Sequence, residues 1–264
     1  MSVSSFVQAK AQGAPLVALP IFLKRGLVQR SLFCAVDSPL FSPEQLAGGR
    51  VGLVSCSSSM AVWMRGVLAD EYGLSPASVR WLTLSASPHG SEVLRIPDSF
   101  SSAGMRAWEE LDGYPHEMDR RERFLLSLLE LRKIDAVISF QTKIADDRFR
   151  TLLPAEEDFW RHYRKRGVYP INHLFVIRQE ALKGTPGLAA ELLSLFRESR
   201  GLWIDYLPQV ERAAVEIEIQ QLGWDPFVYR LGDVEKASLE LFVEYLFREH
   251  MISRRLAAED LFVL

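Results

Sequence analysis

The stretch from Arg50 to Leu84 constrains the fold more than any other part of the chain. Arg50-Val51-Gly52-Leu53-Val54 is a short apolar run that reads as a buried strand. Ser55-Cys56-Ser57-Ser58-Ser59 carries it directly into residues 60–68, whose apolar side chains recur at helical spacing and stop before Gly73. Ser78-Val79-Arg80-Trp81-Leu82-Thr83-Leu84 is a second apolar run. Two strands joined through one helix pair in parallel with a right-handed crossover. The segment is therefore a βαβ unit with a hydroxyl-rich turn at the head of its helix, and it predicts an α/β fold.

The rest of the chain extends this pattern. Proline-bounded residues 15–22 and residues 31–36 read as strands, and Ser42-Pro43-Glu44-Gln45-Leu46 reads as a helical turn with Ser42 as N-cap. Residues 85–119 carry glycine, proline and serine without clear periodicity and read as a surface excursion. From Arg120 a leucine-rich helix leads to Ile134-Asp135-Ala136-Val137-Ile138-Ser139, a strand that implies a second βαβ return. Residues 168–177 form a connection ending in a strand. Helices then fit residues 188–204, 207–222 and 234–250, and no internal repeat is visible.

Composition narrows the function. A net charge of −3 and a pI near 6.0 provide no basic field for a polyphosphate, so nucleic acid is excluded as a partner. No apolar run reaches the roughly 18–20 residues that span a bilayer, and no membrane span is expected. Cys34 and Cys56 lack metal-knuckle spacing and read as reduced. The start of the chain shows no secretory signal, which reads as cytoplasmic. No His-Asp-Glu set has metal-ligand spacing, so no metal site and no cofactor are expected. Nucleophile-elbow, Walker and dinucleotide fingerprints are absent.

Ser57, Ser58 and Ser59 are the main candidate ligand groups. First-turn N–H groups, the positive helix end and short hydroxyls together attract an anion, although a single serine there can be a simple N-cap. Ser4 and Ser5 form a second hydroxyl cluster at a helix start, with the same alternative. His173, beside Asn172 at a strand entry, is the candidate acid or base; a structural histidine is the alternative. Among the aromatic residues, Tyr169 and Tyr229 are the candidates for stacking on a ring or binding a phenol, against a role in core packing.

Read in order, Val51-Gly52, Ala61-Val62-Trp63-Met64-Arg65-Gly66-Val67-Leu68, Asp70-Glu71-Tyr72-Gly73, residues 134–139, Tyr169-Pro170-Ile171-Asn172-His173 and Glu259-Asp260-Leu261-Phe262 resemble the 4,5-dihydroxyphthalate decarboxylase family over nearly the whole chain. The resemblance implies a two-lobed type II periplasmic-binding-protein-like α/β fold, with mixed sheets, a helical C-terminal region and a ligand in the interlobe cleft. It places residues 1–49 and 141–264 in the first lobe and 50–140 in the second. Ser59 falls where the family carries a threonine at the helix start, and His173 where it carries a histidine. The segment from Met1 to Phe6 matches an interior part of the first lobe, so the chain is expected to lack its N-terminal segment. Strand edges exposed in this way are compatible with homo-oligomer formation.

Departures fall within the implied cleft. The turn at residues 54–58 replaces one richer in proline, glutamate, tyrosine and glutamine. Gln141, a candidate ligand residue, lies near a position where an arginine is common, which would remove a bidentate carboxylate clamp. Residues 227–230 keep only Tyr229 of a Trp-Pro-Tyr-Gly pattern. The expected function is non-oxidative decarboxylation of a hydroxylated aromatic carboxylate, a carboxy-lyase reaction with a small aromatic or organic carboxylate as partner. The alternative is a non-catalytic solute-binding protein for a small organic anion, periplasmic and served by an ABC permease.

Overall fold

The computed structural model describes residues 1–85, 92–95, 120–140, 144, 146–153, 160 and 163–263. Most of the expected excursion at residues 85–119 lies outside the described residues, as does Gln141. The chain divides into two compact units, residues 1–27 with 155–264, and residues 28–154. These crossings differ from the expected 49/50 and 140/141. Strand pairing is the reason, because β2 (Leu32–Ala35) joins the sheet of the second unit through antiparallel ladders to β6 (Ala136–Ile138) and β7 (Phe149–Thr151).

The second unit is built on a mixed sheet in the order β5-β4-β3-β6-β2-β7, completed by β3 (Arg50–Leu53), β4 (Arg80–Thr83) and β5 (Glu92–Val93). β3 is central and parallel to both β4 and β6, with Leu53 opposite Thr83 on one side and Ile138 on the other. This is the expected double βαβ return. The crossovers use α2 (Ser59–Tyr72), which ends on Gly73 at φ +61°, and α3 (Arg120–Glu130). Leu125, Leu126 and Leu129 of α3 pack with Ile134, Val137, Phe33 and Leu82 in one core. Gly52 permits that close approach, since a Cβ there would meet Ile134 Cδ1 at 2.7 Å and Leu125 Cδ2 at 3.1 Å. At the amino edge, Asp135 accepts from Arg50 N at 2.7 Å and Arg50 Nε at 3.0 Å, which sets the two strand starts level.

The first unit holds β1 (Leu16–Arg25) antiparallel to β8 (Ile171–Arg178), with α1 (Val3–Ala11) packed against them. β1 runs through Pro20 and beyond the expected end at residue 22. Its register to β8 shifts between Leu19 and Phe22, where a proline without an N–H is tolerated. The helices that follow are α4 (Gln179–Gly184), α5 (Leu188–Tyr206), α6 (Gln209–Leu222), α7 (Asp233–Arg248) and α8 (Ala258–Leu261). The core is closed by Leu239, Phe242, Val243 and Leu246 of α7, by Phe6 and Val7 of α1, and by Phe262 edge-on to Phe22. Among the described residues, no helix is long and apolar enough to cross a membrane.

Candidate functional site

Each unit carries one of the two hydroxyl-rich helix starts read from the sequence. In the second unit the parallel strands β3, β4 and β6 all finish on the same side of the sheet. In open α/β sheets that carboxyl edge is where ligands bind. The pairing ends with Leu53 between Thr83 and Ile138, and Val54-Ser55, Leu84-Ser85 and Ser139-Phe140 are the segments that leave the three strands at this edge. Hydroxyls therefore gather at this edge. Thr83 Oγ1 and Ser85 Oγ both donate to Val54 O, at 3.3 and 3.0 Å, and the Ser55 and Ser57 hydroxyls lie 3.1 Å apart.

The three candidate serines have separate roles. Ser58 is the N-cap of α2, with extended backbone at φ −67° and ψ 147°, and its Oγ accepts from Ala61 N at 3.2 Å. Ser59 opens the helix and is buried, whereas Ser57 is half-buried and turned to Ser55. The positive end of a fourteen-residue helix thus meets a turn of hydroxyls, a combination suited to an oxyanion. Arg65, buried two turns along α2, holds the turn from below. Its Nη2 donates to Cys56 O at 2.8 Å, and its guanidinium lies 5.5 Å from the centroid of the Trp81 ring. Arg65→Met is expected to cost about 1.5–3 kcal/mol, the range for a hydrogen bond to a charged group, and to loosen the 55–58 turn. Urea unfolding and amide exchange at Ser57 and Ser58 check both effects.

The first unit presents the other hydroxyl cluster beside a histidine. Ser2 caps α1, its Oγ accepting from Ser5 N at 3.1 Å and donating to Ser5 Oγ at 2.8 Å. Ser4 is fully buried and accepts from Gln8 Nε2 at both its carbonyl and its hydroxyl, at 3.2 and 3.0 Å. Met1 and Ser2 run antiparallel along β8. Met1 and Leu174 exchange two backbone hydrogen bonds of 2.9 Å, and Ser2 lies opposite His173. His173 is therefore placed at the mouth of α1. It is half-buried and its Nδ1 has no hydrogen-bond partner among the described residues; the same holds for Oδ1 of the neighbouring Asn172, which is only 7% exposed. Burial first, then Lys24 and the amino group of Met1, hold the imidazole below its ordinary value of 6.5.

Tyr169 and Tyr229 part company. Tyr169 is enclosed, edge-on to Tyr163 and Trp224, and its hydroxyl donates to Glu218 at 2.8 Å. Burial first, and then Glu218, push its phenol well above 10.0. It supports the core and offers no ring face to a ligand. Tyr229 is half-buried and ends an aromatic chain through Phe196 to Phe175, with centroids 6.3 and 5.1 Å apart. Strand alternation sets Phe175 on the same face of β8 as His173.

The structure adds residues not singled out from the sequence: Arg65, Ser85, Ser139 and Glu122. Among the described residues no group of three His, Cys, Asp or Glu could hold a metal ion, and both cysteines are buried and not joined in a disulfide.

Comparison with known proteins gives one picture for sequence and another for structure. No family profile matches the chain. A 4,5-dihydroxyphthalate decarboxylase of Comamonas testosteroni is 24% identical over 99% of this chain and 80% of its own length. A protein of the same name from Pseudomonas putida is 28% identical over 42% of this chain and 48% of its own. These support the resemblance at the level of the family. Among solved structures, the periplasmic aliphatic sulphonate binding protein SsuA of Escherichia coli aligns with a TM-score of 0.57 at 12% identity, over 99% of this chain and 78% of that one. A putative sulfonate ABC transporter protein, SsuA from Methylobacillus flagellatus KT, aligns at 0.55 and 12% identity over 97% and 69%. The desulfurization enzyme DSZB aligns at 0.50 and 16% identity over 99% and 80%. The fold is that of the SsuA-type periplasmic binding proteins.

Proposed function

We propose that this relative of the 4,5-dihydroxyphthalate decarboxylases removes a carboxylate from a hydroxylated aromatic acid without an oxidant. The observation that carries the reading is His173: a half-buried imidazole with an unpartnered Nδ1, set against a hydroxyl-capped helix start. The decarboxylase name borne by a relative aligned over 99% of the chain supports it.

The chemistry asks little more of the protein. A ring hydroxyl para to the leaving group pushes electron density to the carbon that bears the carboxylate, and that carbon takes a proton. The carbon–carbon pair then returns to the ring, carbon dioxide departs and aromaticity is restored. One proton is consumed for each carbon dioxide released. His173 in its imidazolium form is the proton donor, and the resulting imidazole regains its proton from water. The α1 start with Ser5, in the same unit as His173, supplies donors to a carboxylate oxygen, and the α2 start with Ser57 and Ser58 is an anion site of the same kind in the second unit. Asn172, next to His173 in β8, and Tyr229 are further ligand-binding candidates. Gln141 is a further one, proposed from the resemblance alone.

The second reading is a non-catalytic receptor for a small organic anion, favoured by the likeness to SsuA-type binding proteins. The two part on one measurement. The purified chain is incubated with 4,5-dihydroxyphthalate, phthalate and hydroxybenzoates, and carbon dioxide and 3,4-dihydroxybenzoate are assayed. Release from the dihydroxy acid supports the enzyme. Saturable binding with no release of carbon dioxide from any of the acids leaves the receptor.

A further inference from the structure

We propose that Glu122 is the hydroxyl-recognising residue of the strand-edge site in the second unit, its Oε2 accepting a phenolic O–H from the ligand. The inference rests on the proposed aromatic substrate and gives this site a specificity.

Glu122 lies in the first turn of α3 and is only 4% exposed. A buried carboxylate normally has a cation for a partner, since desolvation without one is costly. Glu122 has none among the described residues. Its hydrogen bonds come from Ser139 Oγ, at 2.8 Å, and from Phe140 N, and both fall on Oε1. Oε2 takes none from a described residue. One oxygen is thus tied back and orients the group, while the other is left as an acceptor.

Its place matters as much as its chemistry. Ser139 and Phe140 are the residues by which the chain leaves β6, at the same carboxyl edge from which Val54 and Ser55 leave β3 after the last pair, Leu53 with Ile138. Phe140 is 38% exposed at this edge, an apolar residue next to the carboxylate. A helix start offering donors, an exposed aromatic residue and a lone acceptor form a set that matches an aromatic acid carrying hydroxyls. Carboxylate oxygens meet N–H and O–H donors, the ring meets Phe140, and the phenol meets Glu122. A ligand without hydroxyls leaves the carboxylate unpaired, and a site built around a polar partner discriminates strongly against an analogue lacking it.

The test compares 4,5-dihydroxyphthalate with phthalate by calorimetry on the wild type and on Glu122→Gln, which keeps an acceptor for Ser139 and Phe140 but replaces the charge. Wild type is expected to prefer the dihydroxy acid, and the variant to lose about tenfold or more on that ligand alone, as for a charge-assisted hydrogen bond. An equal loss on both ligands, or an unchanged preference, overturns the proposal. Catechol, followed through the amide resonances of Ser139 and Phe140, tests the acceptor without any carboxylate. Shifts in the wild type that vanish in Glu122→Gln, with no phthalate bound, would sink the aromatic-acid reading and keep Glu122. No shift with either catechol or the dihydroxy acid removes Glu122 as well.

Discussion

Glu235→Ala is expected to destabilise the first unit by about 3–5 kcal/mol, the cost of leaving one partner of a buried ion pair alone. Arg25, at the end of β1, has a fully enclosed side chain, and Glu235 in the first turn of α7 is 3% exposed. Nη1 donates to Glu235 Oε1 at 2.8 Å and to Pro226 O at 2.7 Å, and Nη2 donates to Tyr169 O at 3.0 Å. The guanidinium also sits 5.3–5.5 Å from the ring centroids of Phe22, Tyr169 and Trp224. Burial lowers the Arg25 pKa, and the hydrogen bond and charge of Glu235 oppose that shift. Removing the carboxylate strips away this compensation and also frees Gly232 N, which donates to Glu235 Oε2 at 3.0 Å. Replacing both partners, Arg25→Met with Glu235→Leu, is expected to recover most of the loss, because an apolar pair carries no desolvation penalty. Urea unfolding of the two variants measures the difference. A single-variant loss below about 1 kcal/mol would show that the pair is solvated or dispensable.

That pair shows why some of this molecule was legible in the sequence and some was not. The βαβ segment could be read because its strands are short apolar runs and its helix repeats at 3.6 residues, both local properties. The serine turn could be read for the same reason, since a cap and its helix are neighbours in the chain. Arg25 and Glu235 are 210 residues apart, and each taken alone has the look of a surface charge. The early crossing between units has the same origin: β2 is placed by ladders to strands more than 100 residues later. Tyr169 carries both a ring and a hydroxyl, and no periodicity shows that Glu218 satisfies the hydroxyl inside the core. Glu122 did leave a trace. It stands three, four and seven residues before Leu125, Leu126 and Leu129, on the stripe of α3 that faces the core, where an acid has no place unless something inside the protein uses it.

His173→Ala is expected to lower turnover by about 10²–10⁴-fold, the range for loss of a general acid or base, while the Kd for 4,5-dihydroxyphthalate changes far less. The pH dependence distinguishes this from loss of a packing residue. In the free protein burial, Lys24 and the Met1 amino group hold the imidazole below 6.5. An unfolded chain therefore binds this proton more readily than the folded one, so the stability contribution of His173 is complete above about pH 6.5 and is lost as pH falls from there through the folded pKa. A bound carboxylate acts in the opposite direction, favouring imidazolium and raising the pKa, so binding takes up a proton. The affinity of the wild type should therefore strengthen as pH falls below neutrality, by at most about tenfold per unit for one proton. In His173→Ala that dependence should flatten. Proton uptake measured calorimetrically in two buffers of different ionisation enthalpy provides the check. A variant that keeps both the turnover and the proton uptake of the wild type would move the acid elsewhere in the molecule and leave His173 as a strand residue that happens to lie beside a helix cap.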